Sequence, residues 1–264
     1  MQPLITSSKN PQIKNIIQLN KKAKERREQG LYVVEGIRMY AEAPADQVEQ
    51  VYVAEHFLAS HPEISQKYPG CEVVADSVFE SVSDTRTPQG ILCLVKQVPR
   101  DIHKVLELHK EAPFFVILED IQDPGNLGTI IRTAEGAGVD GIILSANCVD
   151  IYNPKTIRST MGSVFRMPLV YAEDMNSTLG VLKENHIRTF AAHLSGKQNY
   201  DMEDYTSGTA LLIGNEGNGL SDNLTAMADE LVKIPMCGQV ESLNAAMAAG
   251  ILMYETARQR RLCL

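Results

Sequence analysis

The sequence predicts an α/β protein in two parts: a small α/β/α sandwich over residues 1–98 and a mainly parallel-sheet α/β domain over 99–264. Three observations predict it. Short apolar runs of strand length alternate with helical segments along the chain, the pattern that covers sheets on both faces. A polar stretch with a proline, Lys96-Gln-Val-Pro-Arg-Asp-Ile102, interrupts the alternation as a domain boundary. Beyond it, apolar strands run into polar or glycine-rich loops that open helices, and open α/β sheets bind ligands at such carboxyl ends.

In chain order, Ser7-Ser8-Lys9-Asn10-Pro11 is a helix start, with capping residues ahead of a proline. Ile13, Ile16, Ile17 and Leu19 form its stripe, Lys21 to Gln29 continues as a charged helix, and Gly30 stops it. Strands at Leu31–Glu35, Val51–Val53, Glu72–Val74 and Gly90–Val95, with a helix over Gly36–Ala45, complete the first part. His103 to Lys110 is a short helix ahead of the strand Phe114–Asp120. Asp123-Pro124 opens the next helix, Gly141–Ser145 is a strand, and Asn153-Pro154 begins a helix to Gly162. Pro168–Val170, Arg188–Ala192 and Thr209–Ile213 supply further strands, with an amphipathic helix over Asn176–Asn185. Leu231–Ile234 stops at Pro235 and leads through Gly238 and Glu241-Ser242-Leu243-Asn244 into an Ala- and Met-rich helix. That helix is apolar nearly all round, which predicts a buried element whose first N–H groups face a ligand. The plainer reading of Ser242 is a helix cap.

Composition bounds the function. Of 264 residues, 44% are apolar and 22% charged, ordinary for a soluble globular chain. The longest apolar stretches, such as Pro113–Leu118 and Leu243–Tyr254, are too short to span a membrane. The opening MQPLITSSKN has no secretory apolar core. Cysteines at 71, 93, 148, 237 and 263 form no C-x-x-C pair, which predicts reduced thiols in the cytoplasm. The six histidines show no ligand spacing, so no metal is expected. A net charge of −8 argues against a nucleic-acid partner only as a total. Lys9, Lys14, Lys21, Lys22, Lys24, Arg26 and Arg27 stand against Glu25 alone in residues 1–27. Such a stretch attracts phosphate, and it also fits a solvated helix face.

Gly136-Ala-Gly138-Val-Asp-Gly141 matches a dinucleotide fingerprint literally, but it closes a helix and opens a strand, the reverse of what the fingerprint needs. No G-K-[ST] follows the loop at Gly214, so a Walker A phosphate loop is excluded as well. Three other stretches carry more. Asn126-x-Gly128-x-x-x-Arg132, Gly214-x-Glu216-x-x-Gly219, and Ile234-Pro-Met-x-Gly238 with Ser242-Leu-Asn244 resemble the three motifs of the SpoU/TrmH RNA 2′-O-ribose methyltransferases, in order across residues 114–258. Asn10-Pro-x-Ile-Lys14, the basic run and Val34-Glu-Gly-x-Arg38 resemble the ribosomal-protein-like substrate-binding domain often attached to them.

The resemblance implies S-adenosylmethionine as methyl donor, a trefoil knot in the C-terminal domain and a homodimer formed through it. Residues 1–98 become an RNA-binding domain and 99–264 the methyltransferase domain. Gly214, Ile234 and Leu243 match positions that hold the donor, with glycine at 214 permitting close approach. Met236 is a candidate to pack on adenine and equally a core methionine. Arg132 matches an arginine beside the target ribose. Its guanidinium stays protonated in proteins, so it is assigned to positioning the phosphate and acidifying the hydroxyl rather than to the role of base. Asn126 holds the acceptor or orients Arg132, Glu216 binds substrate or fixes Arg132, and Ser242 and Asn244 complete the pocket. Family members commonly place a serine at position 246, where this chain has Ala246. Lys9, Lys14, Lys21, Lys22, Lys24 and Arg38 are the expected RNA contacts, with an Arg38–Glu35 salt bridge the open alternative. The attached domain favours rRNA over tRNA by family analogy. The rival reading is a non-catalytic RNA-binding or ribosome-assembly factor, and a drug-resistance methyltransferase would share the chemistry.

Overall fold

The computed structural model describes residues 3–108 and 111–262. Eleven strands are defined among them: β1 (Leu31–Glu35), β2 (Val48–Ala54), β3 (Glu72–Val74), β4 (Ile91–Lys96), β5 (Phe114–Leu118), β6 (Gly141–Leu144), β7 (Leu169–Tyr171), β8 (Arg188–Ala192), β9 (Gln198–Asn199), β10 (Thr209–Ile213) and β11 (Glu230–Lys233). They form two compact units. One comprises the chain up to Val98 together with Asp150–Phe165, and the other comprises Pro99–Val149 with the chain from Arg166 on.

The first unit holds the sheet β1-β4-β2-β3, with β4 antiparallel to both neighbours and β3 parallel to β2. Residues 91–95 of β4 are buried on both faces, as expected of an unbroken apolar run covered by helices. Asn10 caps the helix Pro11–Lys21 through Gln12 N, and Ile13, Ile16 and Leu19 are its buried stripe. The charged helix expected as a continuation is a separate one, Ala23–Gln29, because Lys22 is extended. Arg26 explains the break. The residue is 3% exposed, and its guanidinium donates to the carbonyls of Leu19 and Asn20 at 2.6 and 3.2 Å and to Asp150 Oδ2 at 2.7 Å. A guanidinium thus satisfies carbonyls that the first helix leaves open. The helix Pro154–Thr160, expected in the methyltransferase region, packs in this unit against β1 with Thr156, Ile157 and Thr160 buried.

The second unit holds a seven-stranded sheet, order β7-β6-β5-β10-β8-β11-β9, with every pair parallel. β5 and β10 are fully buried at its centre. Their register sets Leu118 beside Ile213, so the loops leaving both strands emerge side by side. The two-residue β9 was not expected, being too short for an apolar pattern. The short helix expected over 103–110 is Ile102–Leu108, and its last two expected residues lie outside the described residues, as does Cys263. The last helix, Ala245–Leu262, differs from its sequence reading. Ala245, Ala246, Ala249, Leu252, Met253 and Thr256 form a buried stripe, whereas Met247 and Tyr254 are 60% and 48% exposed. One apolar face is therefore open in the single chain. No helix among the described residues is long and apolar enough to cross a membrane.

Candidate active site

The site grows from the paired ends of β5 and β10. After β10, Gly214 sits so close to the returning loop that an added Cβ would lie 2.1 Å from Gly219 C and 2.2 Å from Leu220 N. Glycine at 214 is thus required first by the chain's own loop, rather than by a ligand's approach. The loop closes on itself through Asn215 N to Gly219 O at 3.0 Å and Gly219 N to Asn215 O at 2.9 Å. Asn215 Oδ1 accepts from Gly217 N and Asn218 N, and its amide donates to Asp120 O at 2.7 Å. Gly219 takes φ +71°, which glycine adopts at little cost.

This closed loop delivers Glu216 to the start of the helix Pro124–Ala137. The carboxylate accepts Gln122 N and Asp123 N, each at 3.1 Å, and Asn126 Nδ2 at 3.0 Å. Asp123 caps the helix through Asn126 N at 2.8 Å. The other end of the Asn126 amide, Oδ1, accepts from Asn244 Nδ2 at 2.9 Å. Glu216, Asn126 and Asn244 therefore form one hydrogen-bonded chain across the three motifs. Partial burial opposes the charge of Glu216. The Asn126 amide and the surrounding backbone N–H groups outweigh it and hold the carboxyl below the usual glutamate range.

Asn244 also caps the last helix, its Oδ1 accepting Ala246 N at 2.9 Å and Met247 N at 3.3 Å. The cap expected of Ser242 is made by Asn244 instead, because the helix begins two residues later. Ser242 is exposed at the wall of the neighbouring cavity. Arg132 lies on the helix that carries Asn126, exposed and without a hydrogen bond or ion pair among the described residues. Of the two tasks open to each of Asn126 and Glu216, a hydrogen bond to Arg132 is not made, because both are committed to each other and to the loops.

Beside this chain a cavity of about 410 Å³ lies at the carboxyl ends of β8, β10 and β11. Gly214, Ile234, Met236 and Leu243 all line it, together with Glu216 and Ser242. Asn126, Arg132 and Asn244 stand outside its wall. The sequence reading missed His193, which lines the cavity from the end of β8, and Asn215, which shapes the loop. Nothing in a lone histidine after an apolar strand marks it. The Asn215 turn was signalled by an Asx residue ahead of glycines. No group of three or more metal-binding side chains occurs among the described residues.

The glycine loop, the asparagine chain and the cavity beside it all lie in the stretch matched by the SpoU rRNA Methylase family. Its family model matches residues 113–254, and the chain belongs to that family. Residues 10–93 match the MRM3-like substrate binding domain. The 23S rRNA (guanosine(2553)-2′-O)-methyltransferase RlmP of Bacillus subtilis is 32% identical over 252 residues, covering 95% of this chain and 97% of the relative. The AdoMet-bound rRNA methyltransferase from Sinorhizobium meliloti superposes with a TM-score of 0.84 at 31% identity, covering 97% of both chains. The SpoU methyltransferase AviRb from Streptomyces viridochromogenes, in complex with AdoMet, gives 0.85 at 27% identity over 96% of this chain and all of that one.

Proposed function

We propose that the protein transfers the methyl group of S-adenosylmethionine to a ribose 2′-hydroxyl of RNA, with rRNA as the substrate. The observation that carries this reading is the Glu216–Asn126–Asn244 chain beside the cavity, with Arg132 left unpaired on the same helix. The cavity suits the donor, since its volume lies in the small-molecule range of roughly 300–1,000 Å³. Ile213, Ile234, Met236 and Leu243 offer apolar walls, and the strand ends offer main-chain groups. When bound, the donor supplies an electrophilic methyl group on a sulfonium.

The chain's own residues then have separable tasks. Gly214, Ile234, Met236 and Leu243 hold the donor. Glu216 and Asn244 lock Asn126, which fixes the opening of the helix that carries Arg132. Arg132 would bind the phosphate beside the target ribose and lower the pKa of the 2′-hydroxyl, whose proton would pass to water as the oxygen is methylated. Much of the acceleration comes from holding the two partners in line. Residues 1–98 act as the RNA-binding domain, through Lys9, Lys14, Lys21, Lys22, Lys24 and Arg38. All six are exposed, and only Lys24 has a partner among the described residues, Glu28 at 3.7 Å. The proposal includes the family's trefoil knot, a cytoplasmic location and a homodimer. The open face of the last helix, with Met247 and Tyr254, supports the homodimer.

The test is incubation of the purified protein with methyl-labelled S-adenosylmethionine and unmodified rRNA, followed by nucleoside analysis. Label in a 2′-O-methylated nucleoside is expected. Failure of both donor binding and transfer would put the non-catalytic RNA-binding reading first.

A further inference from the structure

We propose that His193 is a donor-binding residue: the turn at the end of β8 locks its imidazole in one tautomer and offers the Nε2–H to an oxygen of the methyl donor. The inference rests on the methyltransferase reading above and adds to it a side chain outside the three motifs.

The turn is held by backbone and side chain together. His193 N donates to Val232 O at 2.9 Å, which ties the end of β8 to β11. Gly196 N returns to His193 O at 3.0 Å. An added Cβ at Gly196 would lie 2.7 Å from both Lys233 N and Val232 C, so glycine is what lets the chain pass this close to β11. Inside the turn, Ser195 N donates to His193 Nδ1 at 3.1 Å. A nitrogen that accepts an N–H carries no proton of its own, so the proton of the neutral ring sits on Nε2. The histidine is thus fixed at its backbone and at one ring nitrogen. The other nitrogen is a donor with no partner among the described residues.

The place of that donor gives it a task. β8 lies between β10 and β11 in the sheet, and His193 lines the cavity from its end, half-buried. Small-molecule sites orient their ligands through a few fixed polar groups set in apolar walls. On the β10 side, Glu216 and Asn215 are spent on the loops. On the β8 side the Nε2–H of His193 is unspent and directional. Lys233, at the end of β11, lines the same cavity and has no ion pair among the described residues, so this side favours an electron-rich group. S-adenosylmethionine carries such oxygens in its carboxylate and in its ribose hydroxyls, and either accepts an N–H.

The experiment measures binding of S-adenosylmethionine and of its decarboxylated analogue to the full chain by calorimetry, without RNA, for wild type and three variants. His193→Asn keeps an oxygen that accepts Ser195 N, as in an Asx turn, but falls short of the Nε2 position. It should bind S-adenosylmethionine about 5–10-fold more weakly, the loss of one hydrogen bond, with the melting temperature unchanged. His193→Phe, which keeps a ring but has no N–H, should weaken binding as much. His193→Gln, whose amide reaches the Nε2 position, should restore most of the affinity. Wild-type affinity in the Asn or Phe variant overturns the proposal. Nitrogen NMR of the free wild type, with the His193 signals identified by their absence from the Phe variant, should show the Nε2–H tautomer. A ring protonated at Nδ1 alone overturns the proposal even if a variant melts early. A decarboxylated analogue that no longer distinguishes wild type from the Asn variant assigns the carboxylate as the acceptor, and one that still does assigns a ribose hydroxyl. Wild type that binds neither ligand refutes the methyltransferase reading. Wild type that binds while the Asn and Phe variants keep its affinity refutes the role of His193 alone.

Discussion

The two units treat their polar side chains in opposite ways. In the second unit the motif residues are bound to one another: Glu216 to Asn126, Asn126 to Asn244, and Asn244 to the last helix. In the first unit the cations of the basic stretch stand mostly unbound, with Lys9, Lys14, Lys21 and Lys22 exposed and without partners among the described residues. One residue in each unit breaks its unit's rule. Arg26 lies inside the basic stretch yet is buried and saturated, and Arg132 lies beside the bound network yet is free. A buried polar group is held by partners within the fold, whereas an exposed one on a fixed element is met only by water and is open to a ligand.

The largest effect should come from the free residue in the bound unit. Arg132→Ala is expected to lower kcat by about 10²–10³-fold, the range for removing one pre-positioned charge-stabilising group. Donor affinity by calorimetry should stay near wild type. Parallel losses in affinity and turnover would show instead that Arg132 holds the cavity together.

The saturated residue in the free unit should act on stability alone. Arg26→Ala removes the cation from Asp150, whose side chain is 17% exposed, and strands two helix carbonyls. Breaking a pair of this kind costs about 3 kcal/mol, readable as a lower denaturant midpoint. Its neighbours in the same run should do the reverse. Lys14, Lys21 and Lys22 changed together to Ala should leave the midpoint in place and make the salt dependence of RNA binding shallower by about 2. A shift in midpoint without a change in slope would mean that the exposed lysines serve the fold.

Much of this was legible because each pattern was local. The strands show as apolar runs, the Asn10-Pro11 and Asn153-Pro154 starts as caps, and the helix end as a pair of glycines at 136 and 138, of which Gly138 takes φ +76°. The four positions that the resemblance gives to the donor, Gly214, Ile234, Met236 and Leu243, line one cavity. What stayed hidden depends on partners distant in sequence. The break at Lys22 requires Asp150, 124 residues from Arg26. The placement of Pro154–Thr160 in the first unit requires tertiary packing that no periodicity carries. The open face of the last helix was hidden because Met and Ala read as apolar whichever way they point. A Glu35–Arg38 salt bridge, three residues apart, stayed open as one of two readings because the partners of Glu35 lie near residue 84.

The smallest expected effect tests whether the bound network owes its strength to charge. Partial burial of Glu216 favours the neutral acid, yet the N–H donors of Asn126 and the 122–123 backbone overcome this and lower the carboxyl's pKa. A lowered folded value means that the carboxylate's contribution is fully present above the ordinary glutamate value of about 4.3 and is lost as pH falls through the lower folded one. Glu216→Gln should therefore lower the melting temperature near neutral pH, and the gap to wild type should close in acid. A gap constant across that range would show that the loop needs an acceptor at position 216 but not its charge. The three motifs would then be joined by geometry alone, as the free cations of the first unit are not.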